Sequence, residues 1–311
     1  MTMASLPPED VEFAPPVLVR ADESWRVPDI SADEIGELDL CDLSAPVANT
    51  CAALRLCLAE GDLEAATRVF PMLAGQVADL RATAGQLLQP LFVDALRDAV
   101  SYEHASLFAD TARDLLDTVA ARRERTAAPQ VWLYATGGRL EPLLLRLVRM
   151  LLDELGVPSR LVAETRGSDS PLHKFPLRRG HAVCLAIPDG ESAVDAQPLV
   201  EWLNRRQVAV VVVGEAVRDK PKLVEQLGAS ASAWSVAAAV DHMLWVRGPL
   251  TMAESMALRL AADGYTNVRI AHELGISVSA VKARLESSYQ RLQAADRAHA
   301  VAIAMRNRWI R

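Results

Sequence analysis

The chain has 311 residues, enough for two or three domains, and its 51% apolar and 23% charged fractions are those of an ordinary folded protein. No stretch approaches the ~20 apolar residues of a membrane span, and Met1 to Asp10 lacks the basic patch and apolar run of a secretory leader, so a cytoplasmic protein with no membrane partner is expected. The net charge of −7 hides a split, because residues 1–50 hold eleven acidic and two basic side chains whereas residues 250–311 hold nine Lys/Arg against five Asp/Glu.

Residues 1–46 are rich in proline and acids (Pro7-Pro8, Pro15-Pro16, Pro28) and show no sustained period, which predicts a disordered acidic tail. Such a tail either solvates the chain, competes for the basic end, or contacts a partner. From 47 to 122 the pattern turns helical. Leu54, Leu58, Ala65 and Val69 fall at helix spacing, and Gly61-Asp62 breaks one helix and starts the next. Further helices are expected at 71–84, 86–99 and 102–121, and their short connections predict an antiparallel helical bundle. Arg122 to Pro129 reads as a linker.

Across 130–247 continuous apolar runs alternate with helical stretches. Strands are expected at Val131–Ala135, Arg160–Ala163, His181–Ile187, Val208–Val213 and Ala229–Trp234. Helices are expected at Glu141–Leu155, Ala193–Arg206, 220–227 and 236–246. Apolar strands separated by helices predict an open parallel α/β domain, flavodoxin-like or Rossmann-like, covered on both faces. Such a sheet takes ligands at the carboxyl ends of its strands, here Thr136-Gly137-Gly138, Pro188-Asp189-Gly190 and Gly214-Glu215. None of these completes a known site. Gly137-Gly138 is too short for a dinucleotide fingerprint, and Asp189 lacks the acidic pair and lysine of a phospho-receiver, so Asp189-Gly190 reads as a turn. The four cysteines and six histidines show no metal or disulfide spacing; Cys51 and Cys57 read as core. No catalytic group set emerges, and an enzyme is not expected.

Gly248-Pro249 is a natural break, and 249–311 reads as a separate helical domain. Thr251 and Glu254 have the spacing of a capping box, Gly264 suits the left-handed turn after a helix, and Asn267 to Leu274 forms a short second helix. Gly275 then turns the chain. Ser277 caps a third helix whose Val281, Leu285 and Leu292 make a core stripe, while Lys282, Arg284 and Ser287 project from another face. Two helices joined by a tight turn, the second with a basic face, have the geometry that enters a major groove. The residues Leu250-Thr251…Glu254, Gly264-x-Thr266-Asn267, Ile270-Ala271-x-x-Leu274-x-Ile276-Ser277, Val281-Lys282, Arg291-Leu292 and Arg297-x-x-Ala300-Val301 resemble the LuxR/FixJ-type helix-turn-helix. The resemblance implies a four-helix DNA-binding domain, a recognition helix from near Ser277, and a last helix at 296–306 that often mediates dimerisation. Lys282 and Arg284 would approach bases or backbone, and Thr266, Asn267, Ser277 and Arg291 would hold phosphates. Val278, Ser279, Ala283, Glu286 and Ser287 complete the expected contact face. Ala253, Ala280, Arg284 and Glu286 depart from the family pattern. Glu286 either accepts from a cytosine amino group or pairs with Lys282 at i+4.

The helical bundle followed by an α/β domain resembles the cobalamin-binding module of light- or cofactor-sensing repressors, through Leu58-Ala59-Glu60-Gly61-Asp62, Gln89-Pro90-Leu91, Glu103-His104, Gly137-Gly138-Arg139 and Val213-Gly214…Leu227-Gly228-Ala229. That module ligates cobalt from a G-x-x-H-x-x-G loop. Here Leu140 stands at the histidine and Leu143 at the second glycine, and Glu215 replaces a glycine beside the nucleotide tail. Glu103, His104, Gly137, Gly138 and Gly214 are the residues left for a ligand. The resulting expectation is a homodimeric, sequence-specific regulator of transcription that binds double-stranded DNA, with a cofactor-free descendant of the sensor module. Two alternatives stand beside it. One is a switch that retains cobalamin, and the other is a scaffold whose partner is RNA polymerase or another regulator.

Overall fold

The computed structural model describes residues 43–77, 79–121, 128–162, 170–220, 222 and 226–310. The segment read as a disordered tail lies outside them up to residue 42, as does half of the helix expected at 220–227. Helix α1 (Ala45–Ala59) starts ahead of the expected Val47, with Pro46 in its first turn, where a missing N–H costs nothing. It buries Cys51, Leu54 and Leu58. Gly61 (φ 74°) turns the chain, and the Asp62 carboxylate accepts from Ala65 N at 2.8 Å to cap α2 (Leu63–Gln76).

Two expected boundaries are corrected in the bundle. Helix α2 runs through Pro71 instead of restarting there, and its buried stripe is Ala66, Phe70 and Leu73 rather than Ala65 and Val69. The burial of Phe70 and Leu73 outweighs the one backbone hydrogen bond that Pro71 removes. The break falls at Val77–Asp79, where Asp79 caps α3 (Leu80–Ala82). The expected break near 85 is instead a π turn over Thr83–Leu88, which leads directly into α4 (Gln89–Arg97). Pro90 cannot donate, and the wider turn, with Gln89 N–H on Ala84 O, carries the helix past it. Helix α5 (Tyr102–Ala121) closes the bundle, burying Phe108, Ala112, Leu115 and Leu116.

The sheet comprises β1 (Val131–Ala135), β2 (Ser159–Leu161), β3 (Ala182–Ala186), β4 (Ala209–Val213) and β5 (Ala231–Ser232). All pairs are parallel, in the flavodoxin-like order β2-β1-β3-β4-β5. Helices α6 (Glu141–Glu154), α7 (Gly190–Arg205), α8 (Glu215–Asp219) and α9 (Val236–Trp245) follow its strands. Asp189, read as part of a turn, is the N-cap of α7 and accepts from Ser192 N at 2.8 Å. A 3-10 turn over Pro171–Lys174 and the short α8 were not expected.

Alternate strand residues face different cores. Val131, Leu133, Cys184, Val211 and Val213 join α6, α9 and the whole bundle in one continuous core, whereas Trp132, Tyr134, Leu185, Val210 and Val212 pack with α7 on the other face. Bundle and sheet are thus one packed body. Within that seam the fully buried Gln89 amide donates to Trp234 O at 2.8 Å and accepts from Val236 N at 3.0 Å. The C-terminal helices α10 (Met252–Ala262), α11 (Asn267–Glu273), α12 (Val278–Arg291) and α13 (Arg297–Arg306) enclose a third, separate core. Asp241 of α9 ties all three parts, accepting two bonds from Arg81 (3.0 and 2.7 Å) and one from Arg259 of α10 (2.8 Å).

Candidate functional site

The capping box read from the sequence forms. Thr251 Oγ1 accepts from Glu254 N at 3.3 Å, and Glu254 Oε2 accepts from Thr251 N at 2.7 Å. The second carboxylate oxygen has a further role. Glu254 Oε1 accepts from Ser287 Oγ at 2.5 Å and from Arg291 Nε at 3.0 Å, with Glu254 only 5% exposed. One buried carboxylate therefore pins α12 across α10. Ser287 and Arg291, expected on the DNA face, are committed to this contact, although the Arg291 side chain keeps 46% exposure.

Thr266 caps α11 and Ser277 caps α12, their oxygens accepting from Arg269 N (3.4 Å) and Ala280 N (3.1 Å). Gly275 (φ 61°) makes the turn between them. Val281, Leu285 and Leu292 are buried as expected. The gap at i+7 is filled by fully buried Ser288, which donates to Arg284 O at 2.8 Å. On the opposite side Ser277, Val278, Ser279, Lys282, Ala283 and Glu286 are exposed, with Arg284 and Asn267 half-buried at the margin. Lys282 and Glu286 form no ion pair among the described residues, so both reach solvent separately. Arg269, missed in the sequence reading, lies exposed on α11 beside this surface, its guanidinium 3.8 Å above the Tyr265 ring.

The carboxyl ends of the strands hold the second candidate region. Gly138 (φ 78°) and Gly214 (φ 108°) both adopt backbone that favours glycine. Between them lies Glu141, 1% exposed, its Oε1 accepting from Glu215 N at 3.3 Å. A Cβ on Gly138 would overlap Glu141 Oε2, and one on Gly214 would meet Ile187 O at 2.5 Å and Glu141 Oε1 at 3.1 Å. Burial, then the charges of Glu215 and Asp189, push the Glu141 carboxyl up to about 7. Arg139 crosses to the bundle, stacking 3.9 Å above the Tyr102 ring and donating to Ser106 Oγ at 3.2 Å. Glu103 and His104 stand exposed in that same turn of α5, close to the Gly137–Arg139 loop but outside the crevice.

This arrangement does not fit a corrinoid held as the resemblance implies. Leu140 is buried and has no lone pair for cobalt, and the glycine-walled crevice for a nucleotide tail contains the chain's own carboxyl. Among the described residues no cluster of His, Cys, Asp and Glu could hold a metal ion.

Residues 248–304 match the family model of bacterial regulatory proteins, luxR family. The C-terminal domain is a LuxR-type helix-turn-helix. No curated protein matches the chain. Among solved structures, the monomethylamine corrinoid protein of Methanosarcina barkeri is similar at 14% identity, covering 60% of this chain and 93% of its own, with a TM-score of 0.48. The RcsB response regulator of Salmonella typhimurium is similar at 18% identity, over 56% of this chain and 98% of its own (TM-score 0.28). RcsB of Salmonella enterica serovar Typhimurium bound to promoter rprA is similar at 18%, over 55% and 97% (TM-score 0.27).

In the LuxR-type domain the sequence supplied the caps, turn and core stripe, because each depends on local spacing. It missed the second partner set of Glu254, which lies 33 and 37 positions away on α12. It also missed Glu141, whose only local signal is an acid in the first turn of α6 after a Gly-Gly pair.

Proposed function

We propose that this chain is a homodimeric, sequence-specific regulator of transcription in which the first half of α12 enters the DNA major groove. The observation that carries this is the exposed run Ser277, Ser279, Lys282, Ala283 and Glu286 on a helix pinned from behind by Glu254. Lys282 and Arg284 meet base edges or phosphates, Thr266, Asn267 and Ser277 set register on the backbone, and Glu286 selects against some sequences. Two copies would read half-sites about 10 base pairs apart. The bundle and sheet, with the strand-end crevice occupied by Glu141, serve as a cofactor-independent dimerisation or sensing body.

Selection of duplexes from a random pool by the full-length protein tests this reading. Recovery of an inverted repeat whose binding is lost in Lys282→Ala supports it. Unchanged affinity of Lys282→Ala for the selected duplex refutes the placement of the recognition helix.

A further inference from the structure

The seam between the base of the sheet and the C-terminal domain holds two guanidinium groups with no carboxylate partner among the described residues. Arg247, just beyond α9, donates from Nη2 to Gln130 Oε1, while its Nε and Nη1 are enclosed without any hydrogen-bond partner. Arg308, just beyond α13, is exposed and donates from Nη1 to the carbonyl of Gly156. Its Nη2 lies so close to the backbone that a Cβ on Gly156 would stand 2.9 Å away. Arg308 itself sits in the left-handed region (φ 57°), which a residue with a side chain adopts at a cost.

The two charges feel each other. Burial and then the Arg308 charge bring Arg247 down to about 10, and the Arg247 field, after burial and Arg178, also holds the His181 imidazole below its ordinary value. An enclosed cation facing a second cation is unfavourable unless something of opposite sign joins them. Unsatisfied buried guanidinium nitrogens are the signature of a missing polar partner. A guanidinium fork matches the geometry of a tetrahedral oxyanion, and two forks from different elements can grip one from two sides.

We propose that Arg247 and Arg308 form a phosphoryl-binding site that bridges the sheet base and the C-terminal domain. The group is either that of a free phosphate-bearing small molecule or a DNA backbone phosphate; both offer the same oxyanion. Occupancy clamps the chain end beyond α13 against Gly156 and Gln130, so the anion fixes how the helix-turn-helix sits on the sheet.

Titration of the full-length protein with inorganic phosphate in the absence of DNA, followed by calorimetry, is the test. One saturable site per chain is expected, weakened at least tenfold in Arg308→Gln, partly restored in Arg308→Lys, and unchanged in Lys282→Ala. Arg308 is exposed, so the substituted chain keeps its fold, which circular dichroism checks. Lack of phosphate binding combined with loss of duplex affinity in Arg308→Gln assigns the group to the DNA backbone. Lack of both effects overturns the proposal, as does phosphate uptake that Lys282→Ala abolishes and Arg308→Gln leaves intact.

Discussion

Replacing Glu254 by alanine should uncouple the recognition helix from its scaffold. The carboxylate is 5% exposed and accepts from Thr251 N, Ser287 Oγ and Arg291 Nε at 2.7, 2.5 and 3.0 Å. Hydrogen bonds to a charged group contribute roughly 1.5–3 kcal/mol each, but relief of carboxylate desolvation and the half-exposed Arg291 reduce the sum. A net loss of about 3 kcal/mol is expected, in the range for breaking a buried ion pair. The effect should be confined to the C-terminal core, which is separate from the other two. Hydrogen exchange of the full-length chain reads this directly. Amides of α10 and α12 should exchange on the order of a hundredfold faster, since about 1.4 kcal/mol is a factor of ten, while those of β1, β3 and β4 stay unchanged. Exchange in α12 within threefold of the parent would show that Glu254 does not pin the helix. Glu254→Gln should not rescue it, because an amide cannot accept from both the Thr251 N–H and the Ser287–Arg291 pair.

Glu141 predicts a pH dependence. Its carboxyl is raised from 4.5 to about 7, so the folded chain holds the proton more tightly than the unfolded one. The associated stability is fully present below about 4.5 and is lost as pH rises through 7, with a ceiling of roughly 3 kcal/mol. Glu141→Gln should flatten the parent's fall in melting temperature between those values; an equally steep fall in the variant would refute this origin. Asp241→Asn should loosen the joint between α9 and α10 by about 1–2 kcal/mol, since its partners are a quarter to a third exposed. Faster tryptic cleavage after Arg247 would reveal the loosening, and an unchanged rate would refute it. Protein incubated with cobalamin in dim light and desalted should show no corrinoid absorption bands, whereas retained bands would mean the Glu141-filled crevice opens.

Legibility from the sequence followed the range of the interactions. The runs at 131–135 and 209–213 announced buried parallel strands because both faces of each strand are covered, so no alternation interrupts them. The caps at Asp62, Thr251 and Ser277 depend on residues three positions away and were readable or nearly so. Pro71 misled because proline's local cost was weighed without the long-range burial of Phe70 and Leu73. The π turn before Pro90 was hidden for the same reason, its wider turn set by neighbours the sequence does not place. Gln89 reads locally as an ordinary helix polar residue, and only its partners 145 and 147 positions away make it a seam. In the candidate sites, Ser287 and Arg291 were correctly placed on α12 but assigned outward, because helix phase alone does not reveal a buried acceptor on the facing helix.

The Gln89 seam limits how this molecule can be dissected. An excised segment 128–247 would expose the sheet face that the bundle covers and leave Trp234 O and Val236 N without their amide, so it should aggregate or fold poorly. The same bonds forbid the bundle from swinging away as a hinged lid, since parting it costs two buried hydrogen bonds and a shared apolar interface together. Motion that reaches the DNA-binding end is therefore channelled, among the described residues, through the connection around Gly248, where the C-terminal core is separate from the shared core of bundle and sheet.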